Sequence, residues 1–137
     1  MSHPDGLPDL FLDRSLGRKK VPEFLRAEGL RPVTLAEHYG IPHDETIEDT
    51  EWLQLCGERG WFALMKDDRI RYVGAERHAL VESRVRAAVI TNANLSAADM
   101  ASRIIRALTD LAEISSEREG PFLFALQQNR LDEIPLD

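Results

Sequence analysis

Apolar residues run along this chain in two rhythms. Leu10-Phe11-Leu12, Pro32-Val33-Thr34-Leu35, Trp61 to Met65, Arg86 to Thr91 and Phe122 to Leu126 are short, nearly continuous runs. Each is too short for a helix and is bounded by charges, glycine or proline, which predicts five buried strands. Between them the pattern is helical. Val21 to Glu28 predicts a helix with Pro22 in its first turn and Gly29 as its stop. Asp49 or Thr50 caps a helix that reaches about Arg59 and closes at Gly60, and Ala75 to Ser83 predicts another. Ser96, with Asp99 three residues on as in a capping box, opens the longest helix, whose buried stripe is Met100, Ile104, Leu108 and Leu111. Glu37 to Glu48, with Gly40 and Pro42, reads as an acidic loop. Met1 to Pro8 reads as a flexible lead-in, residues 9–128 as a single domain, and 129–137 as an unassigned C-terminal tail.

Apolar strands that alternate with helices predict an α/β fold: a mostly parallel five-stranded sheet with helices on both faces. Right-handed crossovers then gather the carboxyl ends of the parallel strands along one edge. Asp13 follows the first strand, and Asp67 and Asp68 follow the third. Asp49 opens the helix that leads into the third strand, and Thr91 and Asn92 follow the fourth. Carboxylates gathered at one edge repel and raise one another's pKa. A hard divalent cation such as Mg²⁺ or Mn²⁺ removes that penalty through oxygen ligands, and it suits phosphodiester chemistry by activating water and stabilising developing charge. Taken singly, each aspartate also reads as an ordinary helix or turn cap.

Charge sharpens this picture. The 137-residue chain has a net charge of −7, which disfavours a non-specific grip on nucleic acid over the whole surface. The charge is unevenly spread, however. Glu37 to Glu51 holds six carboxylates and no Lys or Arg, whereas Arg14 to Lys20 holds four cations and no acid. Arg14, Arg18 and Lys19, with Arg69 and Asn92, are candidates for gripping a phosphate backbone beside the acidic edge; solvated loops are the plainer reading of the same residues. No apolar run approaches the roughly 18 residues of a membrane span, and the start lacks a signal-peptide core, so a cytoplasmic protein without a membrane partner is expected. Cys56 is the single cysteine and reads as a buried structural thiol. His38 and His43 lack ligand spacing and read as surface residues, while Trp52, Trp61 and Phe62 read as core.

The segment Leu10-Phe11-Leu12-Asp13-Arg14-Ser15-Leu16-Gly17 resembles the opening strand and loop of PIN-like domains. Asp49-Thr50-Glu51-Trp52-Leu53-Gln54-Leu55-Cys56, followed by Arg59-Gly60-Trp61 through Met65-Lys66-Asp67, resembles the family's second signature. There an acid opens a helix and an apolar strand runs into an aspartate. Val89-Ile90-Thr91-Asn92-Ala93-Asn94-Leu95 and Gly120-Pro121-Phe122 are similar to later features of the VapC-type toxins within it. The likeness spans about residues 9–128. It implies a metal-dependent endoribonuclease of a type II toxin–antitoxin pair, with Asp13, Asp49 and Asp67 as catalytic and metal-binding carboxylates and Mg²⁺ or Mn²⁺ as cofactor. It also implies RNA as substrate and a VapB-type antitoxin as partner; the long helical stripe leaves a homodimer open. Relatives often carry a further acid two residues after the last of these aspartates. Arg69 stands there, and the adjacent Asp68 is the available substitute, which leaves one-ion and two-ion sites both open.

Two other classes fit part of the pattern. A phosphoacceptor receiver domain shares the sheet and would use Asp13, Asp67 and Thr91, but its fifth strand ends in lysine, where this chain has Gln127-Gln128. A catalytically inactive PIN-like interaction protein would follow from the replacement at Arg69. A nucleotide-binding module has no glycine-rich phosphate loop to support it.

Overall fold

The computed structural model describes residues 3–66, 74–91 and 94–136. Among them, six strands form one sheet in the order β2-β1-β3-β4-β5-β6. These are β1 (Leu10–Leu12), β2 (Pro32–Thr34), β3 (Phe62–Met65), β4 (Arg86–Val89), β5 (Phe122–Leu126) and β6 (Leu131–Glu133). The first five pair in parallel, and β6 runs antiparallel to β5. The expected α/β sheet is present, with one strand more than the five predicted.

Strict alternation along the strands explains why the apolar runs are continuous. Leu10, Leu12, Phe62, Leu64, Phe122 and Phe124 face one core, whereas Phe11, Ala63, Met65, Ala87, Leu123 and Ala125 face the other. A strand buried on both sides has no solvent face on which to place polar residues. Helices α1 (Lys20–Ala27) and α5 (Ala97–Glu117) cover the first face through Val21, Leu25, Met100, Ile104, Leu108 and Leu111. Helices α3 (Asp49–Arg59) and α4 (Gly74–Glu82) cover the second through Trp52, Leu53, Cys56 and Leu80. Gly57 of α3 lies so close to the end of α4 that a Cβ there would stand 2.3 Å from the Ser83 carbonyl oxygen. Gly60 ends α3 in the left-handed conformation, as expected from its place after the helix.

Three expectations need correction. The stretch read as an acidic loop contains the short helix α2 (Leu35–Tyr39) and a 3-10 turn over His43–Thr46. Thr34 and Glu37 form a complete capping box, with Thr34 Oγ1 accepting from the Glu37 N–H and Glu37 Oε1 accepting from the Thr34 N–H. The residues read as a lead-in are packed: Leu7 lies in the core, and buried His3 accepts the Arg31 N–H at Nδ1 while Nε2 reaches the Leu7 and Pro8 carbonyls. The residues read as a tail supply β6. Arg118 clamps that strand through paired hydrogen bonds to Glu133, with its guanidinium over Phe122 and Phe124. No helix among the described residues is long and apolar enough to cross a membrane.

Candidate metal centre at the sheet edge

Asp13 continues the alternation of β1. Its backbone is extended, with φ −65° and ψ 158°, so its side chain leaves the sheet on the same face as Phe11, toward α3. Phe11 stacks on Trp52 of α3 with ring centroids 5.7 Å apart. Trp52 lies one helical turn after Asp49, and its Nε1–H donates to Asp49 Oδ1 at 2.8 Å. One aromatic stack therefore brings together two carboxylates that are remote in sequence. Asp49 opens α3, where the helix dipole favours a negative charge.

The Asp13 carboxylate is 8% exposed and fully committed to local hydrogen bonds. Oδ1 accepts the Arg14 N–H at 2.7 Å, and Oδ2 accepts the Ser15 hydroxyl at 2.8 Å. Burial pushes its pKa above the ordinary carboxylate value, and the nearby charge of Asp49 pushes it further; the bonds from Ser15 and Arg14 only partly offset this. Ser15 Oγ also accepts the backbone N–H of Lys66 at 3.0 Å, which fastens the end of β3 to the Asp13 turn. Sequence reasoning missed Ser15. The signal was a hydroxyl two residues after a strand-ending aspartate, where it closes a local turn onto the carboxylate.

Asp67, Asp68, Arg69 and Asn92 lie outside the described residues; Asp67 follows Lys66 directly in sequence. Among the described residues, no group of three or more potential ligands forms a metal site. The pair that is described nevertheless fits a divalent cation. Two carboxylates, one of them buried, lie near one strand end with hard oxygen donors and a mutual repulsion that a cation would relieve.

The candidate phosphate-gripping residues separate into two groups. Arg18 is engaged: its Nε and Nη2 donate to the two oxygens of Asp44 at 3.0 and 2.9 Å, and Nη2 also reaches Glu45. Asp44 is only 1% exposed, so this is a half-buried ion pair that ties the Asp13 loop to the 3-10 turn. Arg14 donates from Nη1 to the Asp44 carbonyl at 2.9 Å. It also lines an open cleft of about 370 Å³ with Thr46, Glu48, Asp49, Ala75 and Glu76. Lys19 is exposed, and with Ser15, Lys20 and Met100 it lines a second cleft of about 420 Å³ on the other side of Asp13. Asp44 was also missed by sequence reasoning, because one acid among six gives no sign of burial.

Cys56 is buried, and desolvation pushes its thiol well above the ordinary range, so it has no nucleophilic role. His38 and His43 are exposed. Trp61, expected in the core, is half-buried and stacks on Phe11 with His38 against its edge.

The family model for the PIN-like domain matches residues 8–92, which include β1, α3, β3 and both described carboxylates. This chain belongs to the PIN-like domain family. A Mycobacterium tuberculosis (strain ATCC 25618 / H37Rv) protein named "Putative ribonuclease VapC45" is 32% identical over 125 residues, covering 91% of this chain and 90% of that protein. No solved structure matches the chain. Membership in this family leaves no role for a receiver domain.

Proposed function

We propose that this PIN-like protein is a Mg²⁺- or Mn²⁺-dependent endoribonuclease, the toxin of a type II toxin–antitoxin pair, acting in the cytoplasm. The observation that carries the reading is the meeting of Asp13 and Asp49 at the end of β1, close enough for one charge to raise the other's pKa. Similarity along nearly the whole chain to a protein named as a ribonuclease supports RNA as the substrate. Asp67 is proposed as the third carboxylate, with Asp68 beside it; the tethering of Lys66 by Ser15 supports that position.

Held by these carboxylates, a divalent ion would supply positive charge against the developing charge of a phosphodiester and activate water near neutral pH. The chain's own contribution is orientation. Ser15 and the Arg14 N–H fix both oxygens of Asp13, and the Trp52 indole fixes Asp49, so that neither carboxylate has to be ordered when RNA arrives. Arg14, Lys19, Arg69 and Asn92 are proposed to take the RNA backbone. Arg18, engaged with Asp44 and Glu45, contributes mainly by shaping the loop that carries Arg14 and Ser15. A cognate VapB-type antitoxin is the proposed partner.

The test is cleavage of RNA by protein purified free of partner. Activity should require Mn²⁺ or Mg²⁺ and stop with EDTA. Asp49→Asn keeps an oxygen for the Trp52 indole and removes only the charge, so it should lose about 10²–10³-fold in rate with an unchanged circular dichroism spectrum. A variant that cuts as fast as wild type would reduce Asp49 to a helix start.

A further inference from the structure

Beyond the two clefts beside Asp13, one helical turn after Met100 on α5, the same sheet edge carries a third, of about 180 Å³, between α5 and the β5–β6 turn. Arg103 and Arg106 of α5 and Arg130 of the turn line it, together with the amides of Gln127, Gln128 and Asn129. In a chain of net charge −7, three guanidiniums around one cleft run against the overall trend. Arg103 Nη1 donates to the Leu126 carbonyl at 3.1 Å, and Arg106 Nη1 reaches the Gln128 carbonyl at 3.5 Å. Carbonyl partners orient a guanidinium without neutralising it, and among the described residues no carboxylate pairs with either arginine. Arg130 gives its Nε to Asp132 and keeps its terminal nitrogens, in a side chain that is 74% exposed. Asp110 is the single acid in the lining.

The strand register places this cleft relative to the carboxylates. Leu12 aligns with Leu64, Leu64 with Ala88, and Ala88 with Phe124. Asp13 therefore stands level with Ala125, and the Leu126 carbonyl that holds Arg103 is one residue further out along the same edge. Three inter-strand spacings separate β1 from β5, roughly 14 Å. A single strand of nucleic acid lying along the edge would pass from one to the other.

We propose that Arg103, Arg106 and Arg130 form a second anchoring site for the sugar-phosphate backbone of single-stranded RNA, remote from the scissile bond and on its β5 side. The site rests on the nuclease reading above and extends it. Forked guanidiniums pair with phosphate oxygens, and the neighbouring amides add donors that read no base. Such an anchor sets the register of the RNA on an edge that would otherwise repel it. It raises affinity and leaves the chemistry at Asp13 and Asp49 untouched, so it belongs to KM and not to kcat.

The test measures fluorescence anisotropy of labelled oligouridylate with the full chain in EDTA over a salt series, followed by cleavage kinetics with Mn²⁺. Arg103→Gln/Arg106→Gln should weaken binding roughly tenfold. It should also flatten the salt dependence by about 1.4 in slope, about 0.7 for each lost phosphate contact. KM should rise with kcat retained. Arg59→Gln/Arg84→Gln, at the opposite edge, removes the same charge and should change affinity little; melting curves check that both variants fold. Equal losses in the two double variants would make the effect one of net charge and overturn the site. So would unchanged RNA affinity in Arg103→Gln/Arg106→Gln, and so would loss of binding to polyglutamate alone, which marks a dock for acidic protein. If wild type cleaves while the arginine variants bind and cleave like it, the anchor fails and the nuclease reading stands. If wild type neither binds nor cleaves RNA, both fall.

Discussion

Ser15 ties Asp13 to the end of β3: its hydroxyl donates to Asp13 Oδ2 at 2.8 Å, while Ser15 Oγ accepts the Lys66 N–H at 3.0 Å. One small side chain thus sets the angle of a carboxylate and the height of the strand end that leads to Asp67. Removing it leaves the Asp13 carboxylate held only through the Arg14 N–H and costs about 1 kcal/mol for each lost bond. Ser15→Ala should lower the cleavage rate about 10–100-fold, the usual effect of losing a group that orients a metal ligand. Ser15→Thr, which retains the hydroxyl, should recover most of the rate. An alanine variant with wild-type rates would make Ser15 a turn residue only.

The raised pKa of Asp13 predicts the sign of a stability effect. A carboxyl whose folded pKa lies above its unfolded value binds its proton more tightly in the folded state. Stability therefore falls as pH rises through that interval, and the cost is complete once the pH exceeds the folded pKa. Asp13→Asn removes the cost while keeping an acceptor for the Arg14 N–H. In EDTA at neutral pH the variant should melt no lower than wild type, and its advantage should shrink on acidification. Mn²⁺ should raise the melting temperature of wild type much more than that of the variant. Equal Mn²⁺ responses in scanning fluorimetry would remove Asp13 from the site.

Arg18 and Asp44 differ in exposure, and that difference predicts unequal mutants. Arg18→Gln leaves the Asp44 carboxylate, 1% exposed, without its ion-pair partner, since Arg14 reaches only the backbone carbonyl of Asp44. Asp44→Asn leaves an arginine already 38% exposed, with Glu45 still in reach. Stranding the buried charge is the worse outcome. Arg18→Gln should therefore lower the melting temperature at neutral pH more than Asp44→Asn does. The reverse order would show that Arg18 is not what compensates the burial of Asp44.

On the proposed reading, the acidic edge also predicts how a VapB-type antitoxin would silence the nuclease. A guanidinium inserted beside Asp13 and Asp49 would replace the charge of a divalent ion and block phosphate entry together, since its fork pairs bidentately with carboxylates. High Mn²⁺ should then weaken antitoxin binding, and Asp13→Asn should weaken it too. Affinity indifferent to both, measured by titration calorimetry, would move the inhibitory contact to another surface.

Local pattern alone determined much of this molecule. The five parallel strands are legible because each is a continuous apolar run, a consequence of burial on both faces. The starts of α3 and α5 are legible because their buried stripes, and at α5 the Ser96 cap, are close in sequence; at α3 the N-cap is Glu48, without a side-chain cap bond, and not the expected Asp49 or Thr50. Asp13 and Asp49 could be singled out because each sits at a strand or helix boundary, and such boundaries are local. Their meeting was not local. It depends on Phe11 stacking on Trp52 and on the Trp52 indole holding Asp49, contacts between segments whose approach no periodicity records. The same reason hid the pairing of β6 with β5 in residues that read as a tail. The Thr34–Glu37 capping box is local, but its acid counts with a run that reads as a loop. Distance along the chain also hid Asp44. A carboxylate is solvated by default, and only the fold, by bringing Arg18 to it, could bury one.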